Sequence, residues 1–269
     1  MAQATSTKER PAAQPVRKPL GRGVAWPVAF YRSAVGKKWV MAVTGLMLLG
    51  FVLVHMIGNL KLYLSRQDIN LYGEALRDLG GHLVPHTSLL WLLRGGIVVA
   101  LVLHLHSAVT LTRLNSRARP DKYQAPRDYI AANFASRTMR YSGVLIAFYL
   151  LFHLADLTWG NANPDFVRGD PYNNLVYSFQ RVPVAILYAV ANVALGVHLL
   201  HGVWSVFQSL GINNPRFNRA RRLLAQGVVA VIVVGNVSFP IAVQAGIVDL
   251  ECPHTDPVAP CEAAAASAR

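Results

Sequence analysis

Residues 89–111 read LLWLLRGGIVVALVLHLHSAVTL, an apolar run broken by one charge, Arg94, and two histidines, His104 and His106. At a helical rise of about 1.5 Å per residue this stretch crosses the roughly 30 Å hydrocarbon core of a bilayer. Four more runs share its character, at Trp39–Leu60, Tyr141–Trp159, Val182–Leu210 and Leu223–Ile247. The expected fold is therefore all-α, an integral membrane bundle of five transmembrane helices. The 269 residues are 53% hydrophobic and only 14% charged, which leaves too little polar chain for a separate soluble domain. The formal charge of +13 lies mostly in the segments joining the apolar runs, so it points to a lipid surface and not to nucleic acid.

Lysines and arginines fix the expected orientation. Eight precede the first span, seven lie between the second and third, and four lie between the fourth and fifth. The alternate side carries three, two and one. By the positive-inside rule the N-terminus is cytoplasmic and the C-terminus outside. Three regions follow: a basic cytoplasmic arm at 1–30 without a signal-peptide core, a membrane domain at 31–248, and an outer cysteine-containing tail at 249–269. The stretch Asp68–Leu79 has helical apolar spacing and is expected to lie along the outer interface. Residues 160–177, rich in Asn, Asp, Pro and Gly, read as an irregular loop. No internal repeat stands out.

Six of the nine histidines fall inside the spans: His55, His104, His106, His153, His198 and His201. An imidazole in hydrocarbon is costly without a partner, so such residues mark function by default. His55 and His153 each lie about 9 Å inside the outer boundary, one on the first helix and one on the third. His106 lies roughly 10 Å from the inner boundary, and His198 and His201 about 14–18 Å from it. Two levels result, one per leaflet, as an electron path across a membrane requires. His104 and His106 point to nearly opposite faces, so only one of them faces inward. His198 and His201 share a face.

At these residues the chain resembles the membrane-anchor cytochrome b subunit of succinate dehydrogenase/fumarate reductase, respiratory complex II, in its single-chain five-helix form. The marks are Gly36-Lys37-Lys38, His55-Met56-Ile57-Gly58-Asn59, Ala118-Arg119-Pro120, Arg140-Tyr141-Ser142-Gly143, His198-Leu199-Leu200-His201-Gly202-Val203-Trp204 and Gln208-Ser209-Leu210-Gly211. The resemblance implies a subunit of a succinate:quinone oxidoreductase of the cell (inner) membrane. It would dock flavoprotein and iron–sulfur subunits, which hold the dehydrogenase active site, and pass electrons between them and quinone, expected to be menaquinone. It implies two bis-histidine hemes b, the outer at His55 and His153 and the inner at His106 and His198, with His201 beside the cofactor or quinone. Arg94 and Arg140 are candidate partners of heme propionates. Tyr31, Arg32, Ser33 and Lys38 could meet quinone beneath a docked iron–sulfur subunit, and Trp91, Tyr149, Trp159 and Tyr177 could line a distal pocket. A homo-oligomer of the complex fits the same reading. The alternative is a cytochrome b subunit of another quinone-linked enzyme, such as a formate dehydrogenase or hydrogenase.

The tail departs from that pattern. Cys252 and Cys261 are the only cysteines and lie on the side of His55 and His153. Two thiolates and two imidazoles are the ligand set of a Rieske-type [2Fe–2S] centre, so the outer site takes either a second heme b or such a cluster. A Cys252–Cys261 disulfide on an oxidising side, or a zinc site, uses the same residues.

Overall fold

The computed structural model describes residues 25–118, 134–212, 214–252 and 257. Among them there is no strand. The helices in chain order are α1 (Trp26–Arg32), α2 (Ala34–Asn59), α3 (Arg66–Arg77), α4 (Ser88–Arg117), α5 (Phe134–Leu157), α6 (Pro171–Gln180), α7 (Val182–Ser209) and α8 (Asn218–Gln244). Five stretches are long and apolar enough to cross a membrane: Ala34–Tyr63, Ser88–Arg117, Thr138–Leu157, Val182–Ser209 and Pro215–Gln244. Their large outward side chains, such as Leu92, Val102, Phe148 and Val234, are exposed in the isolated chain. A bilayer solvates such a surface and water does not.

The expected spans are present with shifted ends: all but the fourth begin earlier than expected, and the last three stop earlier. The first begins at a sharp turn, where Ser33 caps α2 by accepting from the Gly36 amide at 2.9 Å and donating to the Phe30 carbonyl at 2.6 Å. A Cβ at Gly36 would stand 1.9 Å from the Phe30 carbonyl oxygen, so only glycine allows α1 to fold against α2 there. The interfacial helix expected at 68–79 is α3. The expected irregular loop at 160–177 needs correcting: its second half is α6. Asp170 caps it through the Asn173 amide and Pro171 occupies the first turn, where no amide is needed.

α3, α6 and the segment after α8 close one end of the bundle. Leu62, Ile69, Tyr172, Val176, Phe179 and Phe239 form the buried apolar core beneath this cap. Above it runs a polar network. Arg66 and Asp170 form an ion pair at 3.1 Å, both side chains almost wholly buried. Asn70 donates to Asp170 at 2.9 Å and to the Pro257 carbonyl at 2.6 Å. Asn173 donates to Asp170 and to the Glu251 carbonyl, and Glu251 accepts from the Arg66 amide at 3.1 Å and the Tyr172 hydroxyl at 3.0 Å. Burial, then the adjoining Glu251, holds the Tyr172 hydroxyl above its ordinary pKa, so it stays a donor. The opposite end carries α1 and the basic residues Arg216, Arg219, Arg221 and Arg222.

Candidate functional site

Four helices form two tight pairs, α2 with α4 and α5 with α7, and α8 lies against α7 and α2. α2 also touches α7. Among the described residues, however, α4 forms no packed interface with α5 or α7, and α2 forms none with α5. The pairs therefore leave a gap between them, and two sets of histidines face each other across it.

Nearer the cap, His55 of α2 and His153 of α5 stand with ring centres 6.0 Å apart and rings perpendicular. Two imidazoles on one iron, at metal–nitrogen bonds of about 2 Å, place their ring centres within about 6 Å of each other. Nδ1 of His153 is buried without a hydrogen-bond partner. An orphaned buried imidazole nitrogen is a costly thing to keep unless a ligand takes up the ring. His55 itself is exposed in the isolated chain. Tyr149 and Tyr188 enclose the His153 ring, each with its centre 5.8 Å away.

The expected pair at the second level is His106 with His198. His104, not His106, lines a cavity with Met139 of α5 and with Leu199, the neighbour of His198 on α7. His104 Nδ1 sits 3.1 Å from the Met41 carbonyl and 3.3 Å from Thr44 Oγ1, both on α2. His198 Nδ1 sits 3.3 Å from Ser142 Oγ on α5 and bonds the Met139 carbonyl. In each ring one nitrogen is tied to the neighbouring helix, which fixes the ring's orientation and leaves the other nitrogen for a ligand. His106 points elsewhere. Its Nδ1 bonds the Tyr31 hydroxyl, and the two rings stack at 5.8 Å. The reason is the packed face of α4, on which Ala100, Ser107 and Leu111 are the buried residues. His104 stands four residues after the first and three before the second, on that stripe, whereas His106 is off it.

The two halves repeat each other. α2 carries Met41, Thr44, Gly45 and His55, and α5 carries Met139, Ser142, Gly143 and His153 at identical spacing. In each, the Met carbonyl and the hydroxyl hold the histidine of the partner helix. A Cβ at Gly45 would stand 3.2 Å from the His104 ring, and one at Gly143 would stand 3.5 Å from the His198 ring. The glycines let each imidazole lie directly on the neighbouring backbone. A cavity opens beside His104, lined among others by Met41, Gly45, Leu49, Met139, Gly202 and Val206. This repeat is absent from the expectation drawn from sequence, because its four positions sit in runs of interchangeable apolar residues.

Other candidates are dispersed. Arg94 is exposed and lies over the Trp91 ring at 5.1 Å. Arg140 is exposed at the start of α5, next to Met139. His201 lies one turn beyond His198 on α7 and is half-buried. At the uncapped end the Lys37 ammonium stands 4.5 Å over the Tyr31 ring, Ser33 caps α2, and Arg32 and Lys38 are exposed beside them. Cys252 is at the cap and is disulfide-bonded. Cys261 lies outside the described residues, as do Arg119, Pro120 and His254. Among the described residues no three His, Cys, Asp or Glu side chains converge on one metal position.

Residues 122–237 match the model of the succinate dehydrogenase/fumarate reductase transmembrane subunit family. No curated protein and no solved structure matches. The matched stretch contains α5, α6, α7 and most of α8, and so both His153 and His198. Over residues 122–237, a little under half of its length, this multi-helical membrane chain is similar to the succinate dehydrogenase/fumarate reductase transmembrane subunit family.

Proposed function

We propose that this chain is the membrane anchor and electron-transfer subunit of a succinate:quinone oxidoreductase, with an iron cofactor at each level of the gap between its helix pairs. The observation that carries the reading is the pair of histidine sets, each bridging helices that do not otherwise pack. His104 and His198 hold a heme b. His55 and His153 hold a second iron centre, either another heme b or a Rieske-type [2Fe–2S] cluster completed by Cys252 and Cys261. The cluster and the disulfide at Cys252 exclude each other, because thiolates are the cluster's ligands. Iron in such a site carries one electron at a time, and the chain's residues set where and how easily it does so. Met41, Thr44, Met139 and Ser142 orient the imidazoles, and the apolar walls exclude water. No acid or base for succinate chemistry is needed in this chain, since that reaction belongs to partner flavoprotein and iron–sulfur subunits.

The uncapped end faces the cytoplasm in this proposal, because the basic segments gather there. It is the docking side for the iron–sulfur subunit. Tyr31, Arg32, Ser33, Lys38 and His201 are proposed to meet quinone, taken to be menaquinone, and Arg140 to neutralise a propionate of the inner heme. The membrane is the cell (inner) membrane.

Optical and paramagnetic-resonance spectra of the purified complex, oxidised and reduced, test this. One low-spin heme plus either a second heme or a Rieske-type signal is expected. A complex with neither heme nor iron–sulfur signal from this chain refutes it. A second test lies at the glycines. Gly45→Val places two methyl groups against the His104 ring and is expected to abolish inner heme binding with the outer centre retained, measured by heme content per chain.

A further inference from the structure

Beside His153 lies a charge that the proposed electron path does not yet use. Asp156 is fully buried and stands three residues after His153 on α5, hence on the same side of the helix. Its carboxylate accepts from Arg181 Nη2 at 2.5 Å, from the Tyr188 hydroxyl at 2.8 Å and from the Ser178 hydroxyl. The Tyr188 ring in turn packs edge-on against His153. Arg181 is the outer member of this group: its side chain is partly exposed, and its Nη1 is held by the Ala162 carbonyl at 2.7 Å. The carboxylate is the inner charge of the pair: it is fully buried, and the Tyr188 that donates to it touches the His153 ring, whereas the guanidinium reaches it from the partly exposed side.

A buried anion near a metal stabilises the more positive, oxidised state of that metal, and solvent screens a partly exposed cation more than a buried anion. The unequal placement of the two charges therefore leaves a net negative field at His153. Tyr188 adds a second control, because its hydroxyl neutralises part of the carboxylate and its ring is wedged against the ligand.

We propose that Asp156, held by Arg181, Ser178 and Tyr188, is a positioning residue that lowers the reduction potential of the iron centre at His55 and His153 relative to the one at His104 and His198. This rests on the proposed function, since it needs an iron centre at each level. It adds to the difference in electron affinity between the two centres whichever group the outer pair holds, and so biases the direction of the path.

The test is a potentiometric titration of the purified complex in membranes or detergent, following both centres by their spectra. Asp156→Asn is expected to raise the potential of the centre at His153 and leave that of the centre at His104 unmoved. Tyr188→Phe keeps the ring and removes the hydroxyl, so it is expected to lower the potential of the same centre, again without effect on the other. Opposite shifts confined to one centre are not produced by a merely structural role. Unmoved potentials with both centres retained overturn the proposal, as do equal shifts of both. If Asp156→Asn fails to assemble, the sign of the Tyr188→Phe shift alone decides. Absence of any redox signal in the unaltered complex overturns the proposed function instead, a result distinguishable from either outcome above.

Discussion

Replacing His104 by alanine is expected to remove the inner heme from the assembled complex, and replacing His106 by alanine to leave it in place. The two residues are a single turn's fraction apart, yet only His104 stands on the packed stripe of α4 and bonds α2. The loss should be complete in His104→Ala, because one iron ligand disappears. Thr44→Val is expected to weaken heme retention by roughly 10–100-fold, the usual cost of removing a group that orients a ligand. Heme content per chain and the reduced-minus-oxidised spectrum read both. Loss of heme in His106→Ala and not in His104→Ala would reverse the assignment. His106→Ala should act instead on the uncapped end, where it removes the partner of the Tyr31 hydroxyl.

The second large effect is expected at the cap. Asp170→Ala leaves the Arg66 guanidinium buried without its carboxylate and removes the acceptor of Asn70 and Asn173. Breaking a buried pair from one side costs about 3–5 kcal/mol, because the remaining charge loses its carboxylate. Thermal unfolding of the purified complex should show the loss as a lowered midpoint, with the tail becoming open to proteolysis. Arg66→Met combined with Asp170→Leu should recover part of it, since the buried cation goes with its carboxylate. It should not recover all, because Asn70 and Asn173 each still lack one of their two acceptors.

The five spans were legible in the sequence because a bilayer demands long uninterrupted apolar runs, and nothing else in the chain imitates them. The presence of histidines at two depths was legible too, since depth follows from residue counting alone. Which histidine faces inward was not. His104 and His106 differ by rotation about α4, and the decisive clue was the small residues Ala100 and Ser107 flanking His104 on one stripe. α6 carried its own signature, a capping Asp170 followed by Pro171, but the surrounding Asn, Asp and Gly residues pointed to an irregular loop. The cap network was hidden for a different reason. Arg66, Asp170 and Glu251 lie far apart in the chain, and a buried ion pair has no periodicity to read.

The cap joins three segments that arrive in sequence order: the one after α2, the one after α5 and the one after α8. Arg66 and Asn70 are in place first, Asp170 and Asn173 second, and Glu251 with Pro257 last. The network is therefore incomplete until the final helix has crossed the membrane and delivered its far end to the correct face. A chain inserted with one span missing would present the last segment to the wrong compartment, leaving Arg66 and Asn70 short of partners. The same bonds that hold the finished end together thus serve as a molecular proof of topology, satisfied only when every crossing has been made.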